Sequence, residues 1–404
     1  MKTIMPVIPD ISRRARLQPA SPIRKLVPLA DAAKRRGIAV YHLNIGQPDL
    51  PPPPEFVRAV KNWSKPVLEY GNSKGDFRLI SKVIRYYKQE LDVDLKEENV
   101  QITTGGSEAL IFAMMAVTSP GDEIVVFEPF YTNYNGFAVM AGITLNPIVT
   151  YGDRGYHLPP AEEIENHINS RTRAILVCSP NNPTGTVYSK KEMEMLAELC
   201  RKHSLFLLSD EPYREFIYEG EFFSALHLKE MEEQVIVLDS ASKRFSLCGA
   251  RVGFLVSKSL EVVDAALRMG QARLSSPTIE QEAVCAAFDL PPDYFKEMAV
   301  EYKKRRDLLF SRLGAMPGVY CEKPEGAFYL MARLPVADSE AFCRWLLSDF
   351  SVQGETVMMA PGAGFYATPG KGKDEVRIAY VLSIDKLERA TVILARGLEK
   401  FAGQ

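Results

Sequence analysis

The chain has 404 residues, and Lys plus Arg (49) nearly balances Asp plus Glu (51), for a formal net charge of −2. That balance excludes bulk attraction to nucleic acid or an anionic membrane surface, and the length fits two packed domains rather than one small core. Cys178, Cys200, Cys248, Cys285, Cys321 and Cys343 stand singly, without a CxxC pair or clustered histidines, and no apolar run approaches the length of a membrane span, which argues against a metal site, a disulfide framework or a membrane anchor and for a soluble protein of the reducing cytoplasm.

Taken in chain order, residues 1–21 read as an extended arm, and Pro22 to Gly37 as a helix stopped by glycine. The prolines 51–54 lead into a helix near Glu55 to Trp63, because proline suits a first helical turn. Short aliphatic runs then recur at Gln101–Thr103, Ile124–Phe127, Ala174–Cys178, Leu205–Leu208 and Val235–Leu238. Runs of this kind suit strands buried on both faces. Between them lie helical patterns such as Lys190 to His203. Ser189 and Glu192 stand there at capping-box spacing, and Met193, Leu196, Ala197 and Cys200 share one face. Strands alternating with helices predict an α/β fold with a mainly parallel, doubly wound sheet. After residue 290 the pattern changes to a polar helix at Glu301–Arg312, short strands near Ala327–Met331 and Val376–Ala379, and an amphipathic helix at Ile384–Phe401. The expected organisation is an N-terminal arm and helix (1–45) packing on a small domain, a large domain (46–290) and a small C-terminal α+β domain (291–404).

Four polar motifs follow predicted strands: Thr104-Gly105-Gly106-Ser107-Glu108, Ser179 to Gly185, Ser209-Asp210-Glu211-Pro212-Tyr213 and Asp239-Ser240-Ala241-Ser242-Lys243. Ligands of an open α/β sheet bind outside the carboxyl ends of its strands, so these motifs converge on one crevice. Taken singly, Gly105-Gly106 is a strand-to-helix turn, Asp210 a cap, and Lys243 and Arg251 solvated cations. Together they supply an anion site at a helix start, a buried acid, a side-chain amide and an amine. Those groups match the phosphate, ring nitrogen, ring oxygen and aldehyde of pyridoxal phosphate.

With these residues in view, the sequence resembles the class I/II pyridoxal-phosphate-dependent aminotransferases of PLP fold type I, most of all the bacterial aspartate aminotransferases. The resemblance rests on Ser-x-Ser-Lys-x-Phe-Ser-x-x-Gly-x-Arg-x-Gly at 240–253, Asn-Pro-Thr-Gly at 182–185 and Asp-x-x-Tyr at 210–213, and it covers nearly the whole chain. It implies that Lys243 bonds the cofactor aldehyde and later acts as the base. Asp210 would pair with the ring nitrogen, Asn182 and Tyr213 with the ring oxygen, and Tyr131 would stack on the ring. Ser240, Ser242, Arg251 and the backbone of Gly106, Ser107 and Glu108 would hold the phosphate. Tyr70 would reach the phosphate of a neighbouring subunit, which implies a homodimer with shared sites. Arg377 would clamp the substrate α-carboxylate, because a guanidinium forms two parallel hydrogen bonds to it, with Asn182 and the Gly46 backbone beside it.

The resemblance further implies amino-group transfer between an L-amino acid and a 2-oxo acid, with ping-pong kinetics and aspartate as the first-choice donor. One departure bears on the donor. Some bacterial aspartate enzymes carry lysine where Ser107 stands, and Arg273, donated across the dimer, is the expected substitute. Aromatic, alanine or broad specificity stays open, as does a carbon–sulfur lyase or another reaction of the same fold. A transcriptional regulator built on this fold needs a DNA-binding module, and the 45 residues before Gly46 are too few for one.

Overall fold

The computed structural model describes residues 9–291, 293–401 and 403. Thirteen strands are present among them: β1 (Ala39–His42), β2 (Val100–Thr103), β3 (Glu123–Glu128), β4 (Thr144–Val149), β5 (Thr172–Cys178), β6 (Phe206–Asp210), β7 (Val235–Ser240), β8 (Gly253–Val256), β9 (Tyr320–Cys321), β10 (Tyr329–Arg333), β11 (Glu355–Met358), β12 (Ala360–Pro361) and β13 (Glu375–Ala379). Seven form the central sheet in the order β2-β8-β7-β6-β5-β3-β4. Within it β7, β6, β5, β3 and β4 pair in parallel. β8 runs against both neighbours, so β2 points the same way as β7. The carboxyl ends of β2, β5, β6 and β7 therefore open on one edge, where the sequence places its four motifs.

Both faces of this sheet are dry, which is why its strands read as continuous aliphatic runs. Ile175, Val177, Leu207, Val235 and Val237 point into one core with Leu79, Val83 and Leu196. Their chain neighbours Ala174, Leu176, Leu208, Ile236 and Leu238 point into the other, with Leu110, Ala113 and Val263. A third core gathers Leu26, Ala30 and Leu43 with Met298, Tyr302, Leu330, Val357, Ile378, Leu387 and Leu394. There β10 pairs antiparallel with β13 and β9, and β1 pairs in parallel with β11.

The predicted helix at Lys190–His203 is present with those bounds, and Ser189 and Glu192 form the reciprocal cap. Such a cap contributes about 1 kcal/mol. The helix Ile384–Phe401 is likewise present. Other expectations need correction. The arm is not wholly extended: Ser12 caps a short helix, Arg13–Leu17, while residues 1–8 lie outside the described residues. The next helix begins at Val27 rather than Pro22 and ends at Arg35, with Gly37 at φ 82° behind it. The polar helix is longer than expected, Asp293–Gly314. Strands β6 and β7 run two residues beyond their apolar runs, so Asp210 and Ser240 are the last residues of strands rather than loop residues. β4 and β8 were not expected. β4 carries Pro147 and lies at the sheet edge, where a residue without an N–H is tolerated.

Candidate active site

A cavity of about 700 Å³ lies over the carboxyl edge of the central sheet. Its floor includes Gly106, Ser107, Asn182, Asp210, Tyr213, Ser240, Ser242, Lys243 and Arg251; Gly46, Tyr131, Tyr329 and Arg377 also line it. The sequence motifs thus converge although they come from strands far apart in the chain.

At one end the helix Gly106–Val117 begins. Gly105 sits at φ 75°, and a side chain there would meet the Arg251 guanidinium at 2.3 Å. Gly253 has no space for one either, because its Cβ would lie 2.4 Å from the Gly105 carbonyl carbon. These two glycines let Arg251 and the helix start close on one point. The Ser240 hydroxyl donates to that of Ser242 at 2.7 Å. Two hydroxyls, a guanidinium and a helix N-terminus are thereby gathered at one point, a donor set whose chemistry suits a phosphate dianion.

In the middle, Asp210 accepts a hydrogen bond from Tyr134 at 2.6 Å. Burial pushes this carboxyl up to about 7; the Tyr134 hydroxyl pulls the other way, and the carboxylates of Asp239 and Glu211 add to the rise. A carboxylate so placed gains from a cationic N–H beside it. Burial also holds the Tyr213 phenol well above its usual value, so it stays a neutral hydroxyl. Tyr213 lies 3.0 Å from the Tyr329 hydroxyl and accepts from Asn182 Nδ2 at 3.5 Å. Lys243 Nζ donates to the Gly46 carbonyl at 2.8 Å and lies 3.6 Å from Cys248 Sγ.

At the far end Arg377 is almost wholly buried. Its Nη1 donates to Asn182 Oδ1 at 2.9 Å, its Nη2 donates to the Asn44 carbonyl, and its plane lies 4.5 Å from the Tyr329 ring centre. Its buried Nε has no acceptor. Burial lowers the guanidinium below its usual value, so an anion beside it is favoured. Gly46 is a glycine because any side chain there would overlap Tyr329, whose hydroxyl would lie 1.8 Å from its Cβ.

Beneath the floor runs a layer of buried charge. Asp239 pairs with Arg214 at 2.6 Å and with Arg244, and all three side chains are at most 2% exposed. Arg214 donates to Tyr87 at 2.7 Å, Arg244 pairs with Glu215 at 3.2 Å, and Tyr86 donates to Glu215. Glu211 accepts from the hydroxyls of Ser209 and Ser224 at 2.9 Å and from the Ala225 N–H at 3.0 Å. Every buried carboxylate in this layer is therefore paired or hydrogen-bonded.

Tyr70 and Arg273, both expected to act across a dimer, and the side chain of Glu108, expected to act through its backbone, stand outside the cavity of their own chain. The Glu108 side chain turns back to accept from the Thr104 N–H at 2.7 Å and from Arg273 Nε at 3.0 Å. Arg273 is thereby engaged within its own chain. Tyr70 is 82% exposed on the outer surface. Sequence reasoning missed Tyr134, Tyr329, Cys248 and the chain segment Gln18–Arg24, which also lines the cavity. Tyr134 carried a weak signal, since it stands three residues after Tyr131 at the start of the helix Asn133–Ala141; the segment carried none.

Among the described residues, no group of three or more His, Cys, Asp or Glu side chains could hold a metal ion, and no helix is long and apolar enough to cross a membrane.

The sequence profile of the family described as aminotransferase class I and II matches residues 38–394. An aspartate aminotransferase of Thermotoga maritima is 33% identical over 383 residues, covering 94% of this chain and 97% of that protein. The fold superposes on a crystal structure of the aspartate aminotransferase of that organism with a TM-score of 0.88 at 31% identity, covering 96% of this chain and all of the other. It superposes on an alanine aminotransferase from Pyrococcus furiosus with a TM-score of 0.88 at 31% identity, covering 97% and 100%.

Proposed function

The chain belongs to the class I and II aminotransferases, enzymes that use pyridoxal phosphate, and on that premise we propose that the cavity residues hold this cofactor and transfer the amino group of an acidic amino acid, aspartate first, to a 2-oxo acid. The observation that carries the reading is the joining in one cavity of Lys243, Asp210, the Arg251 anion site and Arg377. The residues fit the group: the phosphate falls to Ser240, Ser242, Arg251 and the N–H groups of Gly106 and Ser107, and the ring nitrogen to Asp210.

When bound, pyridoxal phosphate supplies an electron-poor ring that takes up the electron pair released as the substrate Cα–H bond breaks. The residues do the rest. Asp210, whose carboxyl burial pushes up to about 7, would take the charged form beside a ring N–H and hold the proton on that nitrogen. Asn182 and Tyr213 would donate to the ring oxygen, and Tyr131, which lines the same cavity, would cover the ring face. Arg377 binds the α-carboxylate, and its contacts to Asn182 and Asn44 fix the plane in which it does so. The Lys243 amine removes the proton from substrate Cα and returns it on the other side of the transfer. Exposed Val67, Leu68 and Tyr70 form a patch through which two copies of the chain would pack, with Tyr70 completing the partner's phosphate site.

Aspartate is favoured by the likeness to the aspartate aminotransferase of Thermotoga maritima. Alanine is the second reading, favoured by the equal likeness to the Pyrococcus furiosus enzyme. The visible absorbance spectrum, taken before and after single amino acids are added without any 2-oxo acid, tests both. Conversion of the yellow protein to its amino form by aspartate supports the reading. Conversion by alanine alone redirects the substrate, turnover without conversion points to a lyase, and a protein that takes up no cofactor overturns the assignment.

A further inference from the structure

Among the described residues, five charged ones line the cavity: Arg24, Asp210, Lys243, Arg251 and Arg377. Four have roles in the reading above, on which this inference rests. Arg24 has none, and its side chain makes no hydrogen bond or ion pair to another described residue. We propose that Arg24 is the specificity-determining residue that receives the side-chain carboxylate of an acidic substrate.

The argument starts from the segment that carries it. Ser21 accepts from the N–H groups of Arg24 and Lys25 at 3.1 and 3.0 Å, which closes a turn. Pro22 packs so closely on Gly364 that a Cβ at that glycine would lie 2.2 Å from the proline ring. The Ile23 carbonyl accepts from Asn44 Nδ2 at 2.9 Å, while the Asn44 carbonyl accepts from Arg377. One asparagine thus holds both the α-carboxylate clamp and the residue next to Arg24. Two guanidiniums registered to one scaffold suit a dicarboxylate. Among the described residues, no carboxylate but Asp210 on the floor lines the cavity, so an acidic tail meets no other like charge from them. Within its own chain Arg273 pairs with Glu108 at 3.0 Å and stays outside the cavity. Arg24 is exposed and lines the same cavity as Arg377, so the proposed carboxylate contact lies at the rim.

The test uses the cofactor-loaded enzyme and reads kcat/KM for aspartate and for alanine in the donor half-reaction, in wild type, Arg24→Gln and Arg24→Glu. The aspartate-to-alanine ratio is expected to fall about tenfold in Arg24→Gln, the low end for loss of a charge-assisted hydrogen bond, and further in Arg24→Glu, with the change carried mainly by KM. A wild-type ratio that favours aspartate and survives in both variants overturns the role of Arg24 alone. A wild-type ratio that favours alanine overturns the acidic-substrate reading itself. Because Arg24 is exposed and unpaired, both variants keep the fold, and an unchanged melting temperature verifies this.

Discussion

On the floor of the cavity Asp210, Ser240 and Ser242 are buried, end strands of a seven-stranded sheet or the turn beyond one, and are backed by paired charges. Across the same space Gln18 and Arg24 are exposed and belong to a segment without regular structure. The floor is held by bonds on both sides of each strand end; the segment is held by the turn at Ser21, the Pro22 contact and Asn44. The contrast follows from what each must do. Proton transfer needs groups fixed to a fraction of an ångström, so it sits on rigid elements. Reading a substrate side chain needs only one correctly placed charge, which an exposed strap can carry and can exchange without disturbing the sheet.

Substitutions on the two sides should therefore differ in kind. The largest effect belongs to Lys243→Ala, with turnover expected to fall by about 10⁴-fold or more, the upper end of what a positioned base contributes; single-turnover rates measure it, and near-normal rates would remove Lys243 from the chemistry. Next comes Asp239→Ala, which removes the ion-pair partner of Arg214 and leaves Arg244 with Glu215 alone. Breaking a buried pair costs about 3–5 kcal/mol, and a denaturation midpoint close to that of wild type would show that the layer does not support the floor.

Asp210 gives a pH signature in the cofactor-free protein. Its folded value, about 7, lies above the ordinary 3.8, so between those values the folded state binds more protons than the unfolded one. Its contribution to stability falls as pH rises through that window. Asp210→Asn should remove that slope, and melting curves across the window that coincide in shape for the two proteins would contradict the burial argument. Tyr134→Phe should cost about 1 kcal/mol, the net worth of one hydrogen bond, and should shift the alkaline edge of the window upward, because the hydroxyl holds Asp210 down. Smallest in stability is Gly364→Ala, which pushes Pro22 away. It should raise KM for amino acids severalfold and leave the melting temperature near that of wild type; a large loss of stability would mean that the strap is part of the core after all.

The sequence was legible where local rules and packing agree. The helix Lys190–His203 has a reciprocal cap, a clean apolar face and correct bounds. The strand-end motifs announced the site because the edge of an α/β sheet is a place defined by topology alone. β4 escaped notice because Pro147 speaks against a strand unless its edge position is known. The Asp210 to Tyr134 bond spans 76 positions and the bond from Arg377 to the Asn44 carbonyl spans 333. No periodicity encodes contacts at such separations. Arg273 stood out as a spare cation for the opposite reason, since its partner, Glu108, is 165 positions away.

The buried charge layer has a consequence for how this chain can vary by descent. Asp210 is followed by Glu211, Tyr213 by Arg214 and Lys243 by Arg244, while Ser240 is preceded by Asp239. Each cavity residue and its buried counterpart are neighbours in the chain on opposite sides of one backbone. A deletion of one codon between 209 and 215 or between 239 and 244 would therefore not merely shorten a loop. Within the strands it would turn Asp210 or Ser240 to the opposite face of the sheet, and beyond them it would rotate Tyr213 or Lys243 out of register with the cavity. These two stretches should be closed to length change in any lineage that keeps the activity, whereas the exposed turn around Gly220 is free to grow or shrink.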